Sequence, residues 1–195
     1  VVKESVSSDD AEAKAEEFIS HFYYHDFDVS SPASYQALNT LLSGLEDTYS
    51  IPNNRMFYLA MAPEFFGTIA KFLKSEGVSE TTGWSRLVIE KPFGHDLPSA
   101  KTLNEEIRDA FTEDQIYRID HYLGKAMVQN IEALRFANPF VESLWNNNHI
   151  ANIQFTASEI VGVEQRAAYY DNSGAIRDMV QNHMLQMLMM IAMEP

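Results

Sequence analysis

The feature that most restricts the fold is an alternation of strand and helix patterns between residues 56 and 119. Strands are predicted over 56–61, 86–90 and 115–119, and amphipathic helices over 63–77 and 96–111. Strand, helix and strand at these lengths imply parallel pairing with right-handed crossovers. The sequence therefore predicts an α/β fold with a parallel sheet whose faces are covered by helices.

The remaining periodicities predict further helices and one further strand. Helices are expected over 9–22, from Pro32 onward, around 128–134, over 141–145 and over about 173–193, and a strand is expected over 150–158. The regular alternation ends after the third predicted strand of the sheet. We therefore place a domain boundary near residue 119, which divides the chain into residues 1–119 and 120–195.

Composition excludes several classes of protein. A net charge of -14 argues against a general nucleic-acid or membrane-surface binder, so a few local basic groups would have to hold any anionic ligand. The absence of cysteine excludes disulfides and thiolate metal sites and fits an intracellular protein. The longest apolar stretch, residues 184–193, falls short of the ~20 residues that cross a bilayer. Because the chain starts at Val1 and stops at Pro195 directly after this stretch, we interpret it as an excised segment.

The run RIDHYLGK, residues 118–125, holds the densest group of reactive side chains. His121 and Lys125 lie four apart, so on a helix they would share a face, which could bind a phosphate monoester. Asp120 would diverge from its neighbour and could serve a second subsite. The alternative is a helix start that Asp120 caps, with two solvated side chains. The run follows a predicted parallel strand, at the edge where ligands of such sheets bind.

Two other segments offer candidate site residues. Lys91 follows a predicted strand and precedes Pro92, so it either reaches a ligand at the same sheet edge or is an ordinary solvated lysine. Asp178 and His183 lie five apart on a predicted helix, a rotation of roughly 140°, so they would not share a face. They could still line one pocket, although a histidine among apolar residues is also typical of a core.

Several familiar site motifs are missing from the sequence. It contains no G-x-G-x-x-G, Walker A, G-x-S-x-G or H-E-x-x-H pattern, so a complete dinucleotide site, a nucleotide triphosphatase, a hydrolase and a zincin lack support. No metal site is predicted. Glu159 ends a predicted strand, and the spacing identifies no partner for it. The methionines at 184, 187, 189, 190 and 193 are interpreted as core residues.

Ordered blocks along the chain resemble the glucose-6-phosphate dehydrogenase family. The blocks are FYLAMAP (57–63), EKPFG (90–94), DQIYRIDHYLGK (114–125), VQN (128–130), RFAN (135–138), GVE (162–164), YYD (169–171), RDMVQNH (177–183) and AMEP (192–195). The resemblance implies that residues 1–119 are the later part of a Rossmann-type dinucleotide-binding domain. Residues 120–195 would then open an α+β substrate and dimerisation domain.

The resemblance also implies an activity and its setting. The parent protein would oxidise D-glucose 6-phosphate at C1 to 6-phospho-D-glucono-1,5-lactone, with hydride transfer to NADP or, in some members, to NAD as well. This is the first step of the oxidative pentose phosphate pathway, and we expect a cytoplasmic homodimer or dimer of dimers. The expected partner is a small sugar phosphate, with no nucleic acid and no membrane.

Motif by motif, the resemblance assigns roles to residues of this chain. His183 would be the general base that removes the C1 hydroxyl proton, and Asp120 would orient its imidazole and stabilise the imidazolium. His121 and Lys125 would bind the sugar phosphate. The remaining assignments are Glu159 and Asp178 as acceptors of sugar hydroxyls, Lys91 as a contact of both substrate and cofactor, and Tyr58, Pro63 and a cis Pro92 as residues of the cofactor site.

The sequence also departs from the family pattern. Ala126 stands where a glutamate is usual, and Gln165, Ala167 and Ala168 stand in a stretch that is usually rich in glycine. The amino-terminal glycine-rich turn and the carboxyl-terminal part of the family's large sheet are missing. Two alternatives follow: an inactive sugar-phosphate-binding or structural remnant, and another sugar oxidoreductase with an E-K-P turn, from which the RIDHYLGK block separates this chain.

Overall fold

The computed structural model describes residues 11–158, 160, 162–163 and 167–194. The elements are α1 (Ala11–Ile19), α2 (Pro32–Tyr49), β1 (Arg55–Leu59), α3 (Phe66–Ser75), β2 (Ser85–Glu90), α4 (Leu97–Arg108), β3 (Ile116–Ile119), α5 (Ala126–Phe136), α6 (Pro139–Leu144), α7 (Ala167–Ala175), a π-helix (Ile176–Met184) and α8 (Leu185–Ala192). Single 3₁₀ turns, Pro63–Phe65 and Glu113–Gln115, precede α3 and β3.

The three strands form one parallel sheet in the order β1-β2-β3. In the β2–β3 pair, Leu87 lies opposite Ile116 and Glu90 lies opposite Ile119. The two strands therefore end level with each other, so Lys91 and Asp120 leave the sheet side by side at its carboxyl edge. The predicted α/β fold is confirmed.

The central strand explains why the sheet forms here. Leu87, Val88 and Ile89 are all buried, which is the pattern of a parallel strand covered on both faces. The following helix, α4, begins at a capping box in which the Asp96 carboxylate accepts the backbone N–H of Ser99 at 2.9 Å. This cap fixes where the chain turns back after the β2 carboxyl end.

The chain divides into two compact units. The first holds the described residues of Val1–Arg55 together with Gly67–Ser85, and the second holds Met56–Phe66 with the described residues of Arg86–Pro195. Every side chain of the candidate site described below lies in the second unit. The domain boundary near residue 119 stays a prediction.

The predicted strand over 150–158 is wrong. Residues 150–158 form no strand in the described structure, although Phe155 and Ala157 are half-buried and pack against a cluster around Met187. The period-2 pattern correctly indicates two faces. It cannot supply the neighbouring strand whose backbone hydrogen bonds define a sheet, and the described residues offer none to this segment.

The helix predicted for the end of the chain differs in two ways. It starts earlier, at Ala167, and is interrupted at Gly174, whose φ of 69° and ψ of 167° are not helical. Beyond this kink a π-helix precedes α8. The interpretation of the methionines as core residues holds for Met187 and Met190 and is wrong for Met189 and Met193, which are 55% and 45% exposed.

No helix in the described part of the chain is long and apolar enough to cross a membrane.

Candidate active site

A buried histidine paired with an aspartate forms the centre of the site. His183 is 0% exposed, and its Nδ1 lies 2.6 Å from Asp120 Oδ1. The two residues are 63 positions apart and come from different elements: Asp120 directly follows β3, and His183 belongs to the π-helix. The same carboxylate oxygen accepts the backbone N–H of Tyr122 at 2.9 Å, which holds it in place.

Lys91 closes the other side of the histidine. Its Nζ lies 2.8 Å from His183 Nε2, and it donates to Asp178 Oδ1 at 2.9 Å and to the Asp178 carbonyl at 3.3 Å. Asp178 Oδ1 also accepts the Tyr169 hydroxyl at 3.1 Å. Lys91, at the carboxyl end of β2, thus contacts both the carboxylate of Asp178 and the imidazole of His183 on the π-helix.

The π-helix corrects the expectation that Asp178 and His183 lie on different faces. In a π-helix the backbone hydrogen bonds join residues five apart, so such residues stand one turn above each other. Asp178 and His183 are five apart and both contact Lys91 Nζ. The rotation of roughly 140° holds only for an α-helix.

The contacts define the protonation state of the imidazole. The Lys91 ammonium can only donate, so Nε2 accepts, and Nδ1 carries the proton that it donates to Asp120. Burial, the charge of Lys91 and the nearby His121 lower the pKa of His183, and Asp120 partly offsets this by raising it. The ring is therefore neutral at neutral pH and presents a basic Nε2 towards Lys91.

The RIDHYLGK run forms turns rather than a helix start. The carbonyl of Tyr122 accepts the backbone N–H of Lys125 at 3.0 Å, and α5 begins only at Ala126. Asp120 therefore does not cap α5. The prediction that His121 and Lys125 share a helix face is also wrong. Local bonds from the Asp120 side chain compete with the helical pattern. His121 and Lys125 are both exposed, and the His121 ring lies 4.8 Å edge-to-face from that of His183.

The predicted cofactor residues lie near the same sheet edge. The Tyr58 hydroxyl of β1 donates a short hydrogen bond to Glu90 Oε1, and this bond raises the pKa of Tyr58. Pro63 is half-buried and begins the 3₁₀ turn after β1. The Lys91–Pro92 peptide is cis, as expected. Beside it lies a cleft of about 220 Å³ lined by Pro92, Gly94, His95, Tyr169, Ser173, Arg177, Gln181 and Asn182.

The remaining predicted residues fall into two groups. Glu159 lies outside the described residues, as does Gln165. Ala126 and Ala167 are the first residues of α5 and α7, where alanine is a favourable helix former.

Asp120, His121 and His183 also offer donor atoms within 4.8 Å of one another, a spacing that could suit a metal ion. The 2.6 Å separation of Asp120 Oδ1 and His183 Nδ1 is that of a hydrogen bond, which occupies both atoms.

Sequence reasoning missed two aromatic residues of the site. Tyr122 stacks on His183 with ring centroids 4.3 Å apart and planes inclined by 15°, and its other neighbour is Lys125, whose Nζ lies 3.8 Å from the ring centroid. Tyr169 holds Asp178. Both residues stand in blocks that carry the family resemblance, HYLGK and YYD, and an aromatic residue between two basic groups was the available signal for the first.

The comparisons with known proteins fit this arrangement. Residues 1–130 match the family model for glucose-6-phosphate dehydrogenase, NAD binding domain, and residues 132–195 match the model for its C-terminal domain. The chain is 73% identical over 194 residues to glucose-6-phosphate 1-dehydrogenase of Bacillus subtilis (strain 168) and 50% identical over 195 residues to that of Leuconostoc mesenteroides. Each match covers 100% of this chain and 40% of the relative, so the chain spans about two fifths of the relatives' length.

Solved structures agree. A glucose-6-phosphate dehydrogenase in complex with its substrate glucose-6-phosphate superposes with a TM-score of 0.88 at 39% identity, over 100% of this chain and 41% of that chain. Glucose-6-phosphate 1-dehydrogenase from Mycobacterium avium superposes with a TM-score of 0.78 at 38% identity, over 98% of this chain and 40% of that chain.

The parallel sheet and the match over its strands place the chain among proteins with a nicotinamide-dinucleotide-binding domain. The chain belongs to the glucose-6-phosphate dehydrogenase family.

Proposed function

We propose that this chain carries the proton-abstracting part of the active site of an NADP-dependent glucose-6-phosphate 1-dehydrogenase. The observation that carries the proposal is the neutral His183, with Nδ1–H held by Asp120 and Nε2 accepting from Lys91 at the carboxyl edge of the sheet. An oriented, neutral imidazole is what a general base at neutral pH requires. The choice of NADP, the cytoplasmic location and the dimeric or tetrameric parent rest on the family resemblance.

The geometry supports a defined proton transfer. The C1 hydroxyl of glucose 6-phosphate would replace the Lys91 ammonium as hydrogen-bond donor to His183 Nε2. As the C1 hydrogen leaves as hydride, His183 takes the hydroxyl proton at Nε2, and the Asp120 carboxylate stabilises the imidazolium that forms. Lys91 remains tethered to Asp178 and can donate to the sugar oxygen beside it.

The phosphate end of the substrate would lie against the turn after β3. His121 and Lys125 are exposed there, and His121 adjoins the His183 ring. Both can donate hydrogen bonds to a dianion, which strengthens such bonds. We expect the double substitution His121→Ala and Lys125→Ala to weaken glucose 6-phosphate binding by about 10²-fold or more. An unchanged dissociation constant would remove the phosphate assignment.

The cofactor fits this chain in part. A nicotinamide ring, when bound, supplies the hydride acceptor. Lys91, Tyr58, Pro63 and Pro92 lie near the sheet edge where that ring would be held, and a cleft adjoins Pro92. The sequence contains no glycine-rich turn for the pyrophosphate, so its residues fit only the nicotinamide end.

Substitution of His183 tests the proposed base. The substitution would be made in a chimera in which this chain replaces the matching segment of the Bacillus subtilis relative. His183→Ala should lower kcat about 10²- to 10⁴-fold with little change in substrate binding, and His149→Ala, at an exposed histidine, is the matched control. Turnover that survives the His183 change would exclude it as the base.

A second candidate is a sugar-phosphate-binding segment without hydride transfer, because the exposed His121 and Lys125 after β3 can bind an anion by themselves. Calorimetric titration of the chain with glucose 6-phosphate, using glucose as the control for phosphate, addresses it. Phosphate-dependent binding without turnover in the isolated chain would support this candidate. Absence of binding would mean that the substrate site needs further parts of a longer protein.

A further inference from the structure

The ring of Tyr122 separates two basic side chains of the site. Tyr122 is 6% exposed and stacks on His183, with ring centroids 4.3 Å apart and planes inclined by 15°. The Lys125 Nζ lies 3.8 Å from the same ring centroid. A stacked imidazole fills one face of a phenol ring, so the ammonium lies against the opposite face.

This geometry lets the charge of Lys125 act on His183. An aromatic face attracts an ammonium through the ring quadrupole, so Tyr122 holds Lys125 at a defined place. With the imidazole 4.3 Å and the ammonium 3.8 Å from the ring centroid, the two groups lie roughly 8 Å apart across the ring, and salt screens this interaction less than one between exposed charges because His183 is buried. A cation held at that distance disfavours a second positive charge on His183.

We propose that Tyr122 is a positioning residue that couples the anion site at Lys125 to the proton affinity of His183. Its ring seats the Lys125 ammonium opposite the imidazole in the absence of a ligand and releases it when a substrate phosphate draws Lys125 away. Removal of that cation makes His183 a stronger base when substrate is bound. The inference rests on the proposed function, because it takes Lys125 as a phosphate ligand and His183 as the base.

Other charged and titratable groups also face the imidazole and have to stay constant in a test. Lys91 approaches from the end of β2, Asp120 and His121 approach from the turn after β3, and Asp178 lies one turn away on the same π-helix. Burial, Lys91 and His121 lower the pKa of His183, whereas Asp120 raises it. None of these groups is changed by a substitution at Tyr122 or Lys125.

A double-mutant cycle in this chain separates the ring from the charge. One axis compares Tyr122→Phe with Tyr122→pentafluorophenylalanine, which keeps the ring shape but removes its attraction for cations. The other axis is Lys125→Gln. The pKa of His183 is read from the ¹⁵N shifts of its labelled ring in a pH titration without ligand. Lys101→Gln, at an exposed lysine of α4, is the matched control.

With phenylalanine at position 122, we expect Lys125→Gln to raise the pKa of His183. With the fluorinated ring the rise should be less than half as large, because that ring no longer holds the ammonium opposite the imidazole. Lys101→Gln should change neither value. Equal rises on the two rings, or no rise on either, would overturn the coupling.

Inorganic phosphate provides a second readout. It should raise the pKa of His183 more in the Tyr122→Phe protein than in the fluorinated one, and equal rises would again overturn the coupling. The double-mutant cycle is measured without ligand, so it tests the coupling between Lys125 and His183 even if glucose 6-phosphate fails to bind in calorimetry. Failure of the proposed function and failure of the coupling are therefore distinguishable.

Discussion

Two buried clusters of charged side chains, one in each unit, show how similar chemistry serves different ends. In the first unit all five N–H donors of Arg55 are used: two by Glu46 at 2.8 and 2.9 Å, and the others by Asn39, Ser43 and the Val78 carbonyl. This fork–fork pair fixes α2 and the start of β1 to the chain that follows α3. None of these partners of Arg55 is a group that titrates near neutral pH.

The cluster in the second unit is built from groups that can exchange partners. Lys91 uses its three donors on Asp178 and His183, and the imidazole of His183 can both accept a hydrogen bond and take up a proton. A substrate hydroxyl can take the place of the ammonium at Nε2 without leaving a buried charge alone, because Asp178 keeps Lys91. The difference teaches that a full set of hydrogen bonds does not by itself identify a structural cluster, since both Arg55 and Lys91 use all their donors. A reactive cluster is indicated instead by a donor that a substrate can replace, such as Lys91, beside an acceptor that can take up a proton, such as His183.

The largest effect on kcat should follow the loss of the Asp120 charge beside His183. Asp120→Asn in the chimera keeps the side-chain shape but removes the charge that stabilises the imidazolium, so kcat should fall by up to about 10⁴-fold. Asp114→Asn, at an exposed aspartate before β3, is the control and should leave kcat unchanged. Steady-state kinetics with unfolding curves for both variants check this. Nearly full activity in Asp120→Asn would place the Asp120–His183 pair among structural clusters.

A change in the arginine cluster should act on stability instead. Arg55→Met leaves Glu46 buried without its partner, so the free energy of unfolding should fall by about 3–5 kcal/mol. Urea unfolding of the chain measures it, and the folded chimera should retain its kcat. A loss below about 1 kcal/mol, the range of exposed ion pairs, would mean that Glu46 reaches water easily, and the proposed contrast between the clusters would weaken.

Removal of the lysine sharpens the contrast. Lys91→Met takes away a charge that lowers the pKa of His183, so the pKa should rise in the ligand-free chain. The free energy of unfolding should change less than in Arg55→Met, because Asp178 keeps the Tyr169 hydroxyl as a donor, whereas both carboxylate oxygens of Glu46 lose their bonds to Arg55. NMR titration and urea unfolding give the two values. A lowered pKa would contradict the assignment of Lys91 as a donor to Nε2.

The two clusters should also respond to different acid ranges. The hydrogen bond from Arg55 lowers the pKa of Glu46, so its contribution to stability is complete above the unfolded value of ~4.3 and is lost as pH falls through the lower folded value. The pKa of His183 is also lowered, so its neutral form persists below ~6.5 and kcat/KM declines only beneath that pH. Unfolding and kinetics measured in steps of pH should show two separate declines. A decline of kcat/KM that begins above pH ~6.5 would contradict the lowered pKa.

Much of the sheet was predictable because its signals are local. Lys91 and Asp120 directly follow the runs that form β2 and β3, and parallel pairing places the ends of such strands at one edge. The proximity of Asp120 and His183 was implied only by the family resemblance, since no local pattern joins residues 63 positions apart.

Other features depended on information that the sequence pattern does not contain. Apolar spacing cannot distinguish an α-helix from the π-helix that brings Asp178 into line with His183, because the two differ in which carbonyl each N–H reaches. The stacking of Tyr122 depends on its rotamer. The segment 150–158 has the alternation of a strand, but a strand also needs a neighbour.

The most direct test of the proposed base is the tautomer and charge of His183 in the ligand-free chain at neutral pH, read from long-range ¹H–¹⁵N correlations of the ring. We predict a neutral imidazole protonated at Nδ1, with the bare Nε2 facing Lys91. A ring protonated at Nε2, or at both nitrogens, would contradict the proposal, because such a ring could not accept a proton from a sugar hydroxyl.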